Sequence, residues 1–152
     1  MRKKEKEIQD RAEIEAVIQK AEICRLGLSV DNRPYIVPLN FGFEGSCLYF
    51  HTAREGKKID MIRQNNCVCF EMDVDCSPVR AENPCDWTMK YRSVIGYGTA
   101  SLLTDAEEKR RALDVIMEHY SGPLGEYPEN RVDRLAIIKV EIESMASKRS
   151  GD

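Results

Sequence analysis

The sequence has no uninterrupted apolar run long enough to cross a bilayer, and no apolar segment of a secretion signal follows its charged start, MRKKEKEIQD. Its net charge is only −3, which provides no strong field for attracting nucleic acid or an acidic membrane. We therefore expect a soluble, cytoplasmic protein that binds neither. Glu5 and Glu7 interrupt the basic residues of the start, which predicts a solvated or dimer-facing tail.

Signals for a metal site or a disulfide framework are also missing. The chain has only two histidines, His51 and His119, and its six cysteines include no Cys-x-x-Cys pair. Because structural zinc sites usually show paired ligand spacing, we expect no metal. Four cysteines lie in apolar, strand-like segments, where a free thiol behaves as a small hydrophobe. Cys76 and Cys85 have polar surroundings, and their roles stay open.

A chain of 152 residues is long enough for one domain with a substantial core, and no linker or repeat divides residues 1–152. Helical periodicity predicts helices at 10–22, 55–64 and 104–120. Strand-like patterns predict six strands, at 23–30, 36–43, 47–50, 67–74, 91–103 and 134–142, with a loop at 75–86. This order favours an α+β fold on a small antiparallel barrel over a doubly wound sheet. Gly96 and Gly98 in the fifth strand predict a bend or bulge.

The most informative stretch is YIVPLNFGFEGSCLYFHTAREGKKIDMI, residues 35–62. Side chains alternate over 36–43, a turn follows at 44–46, and 47–50 is apolar, which together predict a β-hairpin. Pro38 cannot donate a hydrogen bond to a ladder. It therefore indicates an edge strand, a bulge, or a place where a ligand meets the backbone, and an edge is the simplest of the three.

At the end of this stretch a polar, lysine-bearing loop opens a helix. Thr52, Gly56, Lys57 and Lys58 lie at that junction. A helix start offers unpaired N–H groups and the positive end of the macrodipole. The junction therefore predicts a phosphate-binding site, and the simpler alternative is a solvated helix start.

Four segments, in this order along the chain, carry a resemblance to a known family: MRKKEKEI, VPLNFGF, LYFHTAREGKKIDMIRQNNCVCFEMD and CDWTMKYRSVIGYG. Together they resemble the pyridoxamine 5′-phosphate oxidase-related, flavin-binding split-barrel family, in its nitroimidazole-resistance branch. The resemblance implies a six-stranded antiparallel split β-barrel with flanking helices. It also implies a homodimer that holds two FMN molecules in the clefts between subunits.

The family's flavin-contacting positions can be carried over residue by residue. They match Val37, Pro38, Leu39 and Asn40 on one strand, His51 and Thr52 at the end of another, the basic pair Lys57 and Lys58, and Ser93 on the long fifth strand. Two ammonium groups beside a helix start suit a phosphate dianion, which agrees with the prediction made from the residues alone.

His51 is the residue that the resemblance singles out for chemistry. A histidine occupies the same Tyr-x-His-Thr position in the nitroimidazole-resistance branch, where an imidazole beside the flavin could donate a proton to a substrate. The alternative is that His51 only shapes the pocket or hydrogen-bonds the cofactor. The chain ends ESMASKRSGD, without the Arg- and His-containing substrate motif of the true oxidases, so we do not expect vitamin B6 oxidation.

These observations predict a cytoplasmic, dimeric flavoprotein. The expected activity passes electrons from NAD(P)H through FMN, with FAD as an alternative cofactor, to a small, flat acceptor such as a nitroaromatic. The rival hypothesis is a carrier or sensor without turnover that binds flavin or haem, with His51 or His119 as the haem ligand.

Overall fold

The computed structural model describes residues 2–151 and contains four α-helices and eight strands. The helices are α1 (Arg11–Lys20), α2 (Lys57–Gln64), α3 (Ala106–His119) and α4 (Glu129–Asp133). The strands are β1 (Glu7–Ile8), β2 (Cys24–Val30), β3 (Arg33–Leu39), β4 (Gly42–Glu44), β5 (Cys47–Ala53), β6 (Cys67–Val79), β7 (Thr88–Leu103) and β8 (Leu135–Ser150). Within residues 2–151 no helix is both long and apolar enough to cross a membrane.

All the strands belong to one sheet in which every pairing is antiparallel. Its order is β3-β2-β6-β7-β8-β5-β4, and β1 pairs with β8 off this path. The prediction of an antiparallel α+β fold is confirmed. The predicted number of six strands is wrong, and the barrel is not closed, because β3 and β4 lie at opposite ends of the path.

The two additional strands are too short for alternation to be read in the sequence. β1 has two residues and lies within the charged start. β4 exists because the predicted strand at 36–43 is interrupted: Asn40 and Phe41 leave the ladder, so β3 pairs with β2 while β4 pairs with β5. The predicted hairpin of 36–43 against 47–50 is therefore reduced to β4 against the first residues of β5.

Two local predictions about irregular strand positions are confirmed. Pro38 lies in β3, an edge strand of the sheet, where a missing N–H breaks no interior ladder. The register between β7 and β8 shifts between Tyr97 and Gly98, which is the predicted irregularity. Both features come from residues whose backbone chemistry acts locally, so the sequence alone was sufficient to predict them.

The predicted loop at 75–86 is wrong in its first part. After an irregularity between Val74 and Ser77, β6 resumes its pairing with β7 and continues to Val79. A bulge lets a ladder restart beyond unpaired residues. The polar sequence of this segment therefore does not prevent it from forming a strand.

The main core fills the inner face of the curved sheet. Its largest fully buried side chains include Phe41, Phe50 and Phe70. Asp10 is the N-cap of α1, and its side chain accepts a hydrogen bond from the Ala12 N–H, as aspartate commonly does at a helix start. A second, smaller cluster lies between α3, α4 and β8, and its buried members are Ala112, Leu113, Val132 and Ile137.

Helix α3 lies directly on strand β4. A Cβ atom built on Gly42 would lie 2.7 Å from the backbone nitrogen of Ile116. Only glycine permits so close an approach of helix backbone to strand backbone. The end of α3 is thereby held over the short segment that connects β3 to β4.

Tyr120 fixes this connecting segment. The Phe41 N–H donates to the Tyr120 hydroxyl at 3.0 Å, and that hydroxyl donates to the Glu22 carbonyl oxygen at 2.7 Å. The His119 ring packs on the Phe41 ring, with centroids 4.2 Å apart. Burial raises the pKa of Tyr120, so the phenol keeps the proton that it donates to Glu22. The end of α3 thus anchors the backbone immediately after Asn40.

We expect Tyr120→Phe to lower the free energy of unfolding by about 1–3 kcal/mol, because the buried Phe41 N–H loses its acceptor. Urea unfolding measures this loss. The control is Ser46→Ala, which also removes one hydroxyl; Ser46 is exposed in the turn between β4 and β5, and its hydroxyl should contribute less than about 0.5 kcal/mol. Equal stability of the two variants would contradict the anchoring role of Tyr120.

Candidate functional site

The predicted site residues of β3 lie on both faces of the edge strand. Val37 and Leu39 are half-buried and pack against the main core, as does Tyr35, whereas Pro38 is exposed. Asn40 follows directly and is exposed. Because β3 is an edge strand, backbone groups on its outer side have no ladder partner within the described chain.

Asn40 and His51 connect the end of β3 to β5. Their side chains meet, with Asn40 Nδ2 lying 3.3 Å from His51 Nε2. His51 is half-buried and alternates along β5 with the fully buried Phe50, so it lies on the outer face of the sheet. The structure therefore brings together two predicted site residues that are eleven positions apart.

Helix α2 begins without a side-chain cap. Its N-cap is Gly56, with φ 138° and ψ 179°, and no side chain hydrogen-bonds to the helix start. The first intrahelical hydrogen bond runs from the Asp60 N–H to the Gly56 carbonyl oxygen. The N–H groups of Lys57, Lys58 and Ile59 come before it and therefore have no acceptor within the helix. A side chain at this backbone conformation would be strained, and the space beside Gly56 is open. The helix start is thus available to an anion.

The two predicted phosphate-binding lysines differ in their surroundings. Lys57 is exposed, and its ammonium nitrogen lies 4.3 Å from the centroid of the Tyr35 ring, a cation–π distance. Lys58 is half-buried. Tyr35 was not among the predicted site residues, although its place two positions before Val37 in an alternating strand was a usable signal. Lys57 links the start of α2 to β3, and we call Tyr35, Asn40, His51 and Lys57 the seam residues.

The loop before α2 is held from the opposite side. Arg54 donates from its guanidinium to the Asp133 carbonyl oxygen at 3.0 Å. This carbonyl lies at the C-terminal end of α4, where the positive charge of Arg54 also interacts favourably with the helix dipole. Thr52, half-buried near the end of β5, precedes this loop. The contact fixes the chain between Thr52 and the start of α2.

Ser93 lies far from the seam residues along the sheet. His51 pairs with Ile137 of β8, and Ile137 pairs with Leu103 of β7. Ser93 lies ten positions before Leu103 on that strand, which corresponds to roughly 33 Å of extended chain. Its carbonyl accepts a hydrogen bond from the Ser147 hydroxyl at 2.8 Å. The ladder therefore gives no support for Ser93 acting beside His51 of the same chain.

A surface cavity of about 320 Å³ lies beside α3 and shares the outer face of β5 with His51. It is lined by Tyr49, whose pKa burial raises above its ordinary value, and by charged side chains. The carboxylates are Glu44, Glu108, Asp114 and Glu118, and the cations are Arg111 and Lys139. A lining with more carboxylates than cations disfavours a phosphate dianion, so the start of α2 is the better anion site.

Within residues 2–151 the cysteines do not form a metal site with other residues. No group of three or more His, Cys, Asp or Glu side chains suited to a metal occurs in the described part of the chain. All six cysteines are free. Cys24 is buried, but Cys67 is exposed, so the expectation that it packs as a small hydrophobe is wrong.

The comparison with protein families agrees with the geometry. The family model described as pyridoxamine 5′-phosphate oxidase matches residues 10–149. The chain belongs to this family. The match includes β3, β5, α2 and β7 with every predicted site residue, and it confirms the resemblance given by the motifs.

Solved structures extend the comparison. A candidate 5-nitroimidazole antibiotic resistance protein from Bacteroides thetaiotaomicron is 36% identical, with a TM-score of 0.84, over 93% of this chain and 85% of that chain. An FAD and haem binding protein from Mycobacterium smegmatis has a TM-score of 0.87 at 17% identity, over 97% of this chain and 74% of that chain. The first confirms the nitroimidazole-resistance resemblance, and the second shows a shared fold alone.

Among curated proteins, the chain is similar to an uncharacterized protein of Rhizobium meliloti. The two are 32% identical over 65 residues, which is 43% of this chain and 42% of the relative. The aligned part therefore spans less than half of the curated relative.

Proposed function

We propose that this protein binds FMN and acts as an oxidoreductase on a small, flat acceptor such as a nitroaromatic. The observation that carries the proposal is the uncapped start of α2 with Lys57 and Lys58, next to the Asn40–His51 pair. Membership of the pyridoxamine 5′-phosphate oxidase family and similarity to the candidate 5-nitroimidazole resistance protein support it.

The residues at the start of α2 fit a flavin phosphate. The helix N–H groups have no side-chain competitor, and the conformation of Gly56 leaves open space beside them. Lys57 and Lys58 would add two positive charges, and a phosphate dianion matches both features. Thr52 would contribute a hydroxyl from the preceding strand. FMN, rather than riboflavin, is therefore the ligand that this junction favours.

The isoalloxazine ring system of FMN would lie against the outer edge of β3 and against the seam residues. Val37, Pro38, Leu39 and Asn40 supply backbone that no neighbouring strand of the described chain uses, and the isoalloxazine presents amide-like groups that such backbone can bind. When bound, FMN supplies the electron transfer, while NAD(P)H is the proposed donor. His51 in its protonated form would donate a proton to the acceptor.

We also propose a homodimer. Ile95 and Tyr97 lie on the outward face of the central strand β7 and are 49% and 59% exposed. An exposed apolar surface in the middle of a sheet marks an interaction site, and a second copy of the chain is the partner that the family suggests. A dimer would also let Ser93 of one subunit complete the site of the other, since Ser93 is distant from His51 along its own sheet.

We expect Ile95→Asp to dissociate this dimer and to weaken FMN binding at least tenfold, because a charge would be placed in an apolar interface. Light scattering at micromolar concentration measures the mass. The control is Leu124→Asp, an equally drastic change at an exposed residue of the loop before α4, which should leave both properties unchanged. A wild-type monomer that binds FMN tightly would contradict the dimer.

The haem-binding alternative is less well supported by the histidines. His119 Nε2 lies 2.6 Å from the Ala21 carbonyl oxygen, and His119 Nδ1 is buried, so neither ring nitrogen is available to iron. His51 Nε2 faces Asn40. The Mycobacterium smegmatis protein of this fold binds FAD and haem according to its name, which keeps the alternative testable.

The absorbance of the purified protein, supplemented with FMN or haemin, distinguishes the two proposals. We expect a flavin spectrum that bleaches when NAD(P)H is added and returns when a nitroaromatic follows. A haem spectrum without flavin would contradict the proposed function. The six free cysteines suit a reducing compartment, and a cytoplasmic location is part of this proposal.

A further inference from the structure

A buried cation holds the junction between α4 and β8. Lys109 of α3 is only 9% exposed, and its ammonium nitrogen lies 3.1 Å from the Leu135 carbonyl oxygen and 3.5 Å from the Val132 carbonyl oxygen. Within residues 2–151 Lys109 forms no ion pair with a carboxylate. Its charge is therefore balanced by these carbonyl groups and by the negative end of the α4 dipole, and a lysine is seldom buried without such partners.

The same junction is attached to the segment that leads into α2. Strand β5 pairs with β8 as far as Ala53 and Leu135, where β5 ends. The next residue, Arg54, continues the attachment with its side chain, which donates to the Asp133 carbonyl oxygen at 3.0 Å. A guanidinium can only donate and a carbonyl oxygen can only accept, so the direction of this hydrogen bond is fixed. Two residues further on, Gly56 is the N-cap of α2.

Helix α4 depends on such contacts because it is short. It has five residues, and no side chain hydrogen-bonds to its start, whereas isolated helices of fewer than about 12 residues are only marginally stable. Its buried residue, Val132, packs with Ala112 and Leu113 of α3. The carbonyl groups at its end have no donor within the helix, and Lys109 and Arg54 donate to two of them from separate elements.

We propose that Lys109 and Arg54 are positioning residues that together hold the start of α2 in place for a phosphate group, both acting on the junction 132–135. This inference rests on the proposed function for its ligand, whereas the contacts do not depend on it. Without the two cations, residues 54–56 would move more freely. The N–H groups that start α2 would then lose their fixed distance from the seam residues, so one FMN molecule would no longer fit both. Riboflavin has no phosphate and would not be affected.

The first test is amide hydrogen exchange, measured by mass spectrometry on the protein without flavin. Lys109→Met and Arg54→Gln should each speed exchange of residues 52–60 about five- to tenfold, the effect of one lost hydrogen bond, while the ladder of β6 and β7 exchanges as in the wild type. The control is Arg110→Met, at a half-buried position of α3 that makes no hydrogen bond to residues 132–135. Unchanged exchange at 52–60 in Arg54→Gln, an exposed site that should not impair folding, would overturn the proposal.

The second test is fluorescence titration with FMN and riboflavin. Each single variant should bind FMN about five- to tenfold more weakly and riboflavin as the wild type does, and Arg54→Lys, which keeps a donor, should recover most of the loss. The double variant Lys109→Met/Arg54→Gln should be no weaker than the weaker single variant, because both residues act through one junction.

Two results would overturn the proposal. If the losses multiply in the double variant, Lys109 and Arg54 act on the phosphate separately. If exchange at residues 52–60 is faster but FMN affinity is unchanged, the junction does not position the phosphate site. Failure of the proposed function would look different: the wild type would bind no FMN, while exchange at 52–60 would still respond to both substitutions.

Discussion

His51→Ala is expected to retain FMN but to lose reduction of a nitroaromatic acceptor by about 10²–10⁴-fold, the usual contribution of a positioned general acid. The substitution leaves the start of α2 and the backbone of β3 intact, and those two features would provide most of the cofactor contacts. Among the seam residues, the substitution removes only the contact between the Asn40 and His51 side chains, which is exposed. Rapid-reaction kinetics can separate the two half-reactions. Flavin reduction by NAD(P)H should survive, while reoxidation by the acceptor should slow.

His51→Gln is the informative control for this prediction. Glutamine keeps a polar side chain that can hydrogen-bond to Asn40, but it cannot donate a proton as imidazolium does. If His51 transfers a proton, His51→Gln should be nearly as slow in reoxidation as His51→Ala. Wild-type reoxidation in both variants would leave His51 a pocket-shaping residue.

Replacing Lys57 and Lys58 together by alanine should weaken FMN binding by about 10²–10⁴-fold, since charge-assisted contacts contribute roughly 1.5–3 kcal/mol each. The lower end is more realistic for Lys57, which is exposed and therefore screened by solvent. Riboflavin lacks the phosphate and should bind the variant almost as it binds the wild type. Fluorescence titration with both ligands measures the difference.

The matched control is Arg63→Ala, which removes a cation from the other end of the same helix. It should leave the preference for FMN over riboflavin unchanged, because the phosphate would lie at the first turn of α2. If the double lysine variant weakens both ligands equally, the phosphate does not bind at this helix start.

Much of the fold was predictable because its signals are local. The predicted alternation of Val37 and Leu39 with the exposed Ile36 and Pro38 is present in the structure, and Pro38 indicated the edge strand. The capping residue Asp10 and the irregularity before Gly98 likewise depend on chemistry within a few residues. The resemblance to a known family then predicted how these helices and strands combine into one fold.

The remaining features depend on contacts between distant residues. Neither the hydrogen bond of Phe41 to Tyr120 nor the approach of Asn40 to His51 follows from a period or a motif. Lys109 is another example, since a lysine on a helix is ordinarily solvated. Here it is buried and donates to the Leu135 carbonyl oxygen at 3.1 Å. Such contacts are fixed by how α3 packs across the sheet, which the sequence does not encode locally.

The candidate site shows the same division. The sequence placed Lys57 and Lys58 at a helix start, and the structure has them in the first turn of α2. It did not reveal that Lys57 lies over Tyr35, because that contact joins two elements that are not sheet neighbours. The separation of Ser93 from His51 follows from the register of β5 on β8 and of β8 on β7. Motifs matched one residue at a time contain no information about this register.

Titration of the purified protein with FMN, followed by flavin fluorescence and compared with riboflavin, tests the central claim most directly. The account predicts saturation at one FMN per chain, with riboflavin bound far more weakly because it offers nothing to the start of α2. Absence of FMN binding, or equal affinity for FMN and riboflavin, would contradict the account.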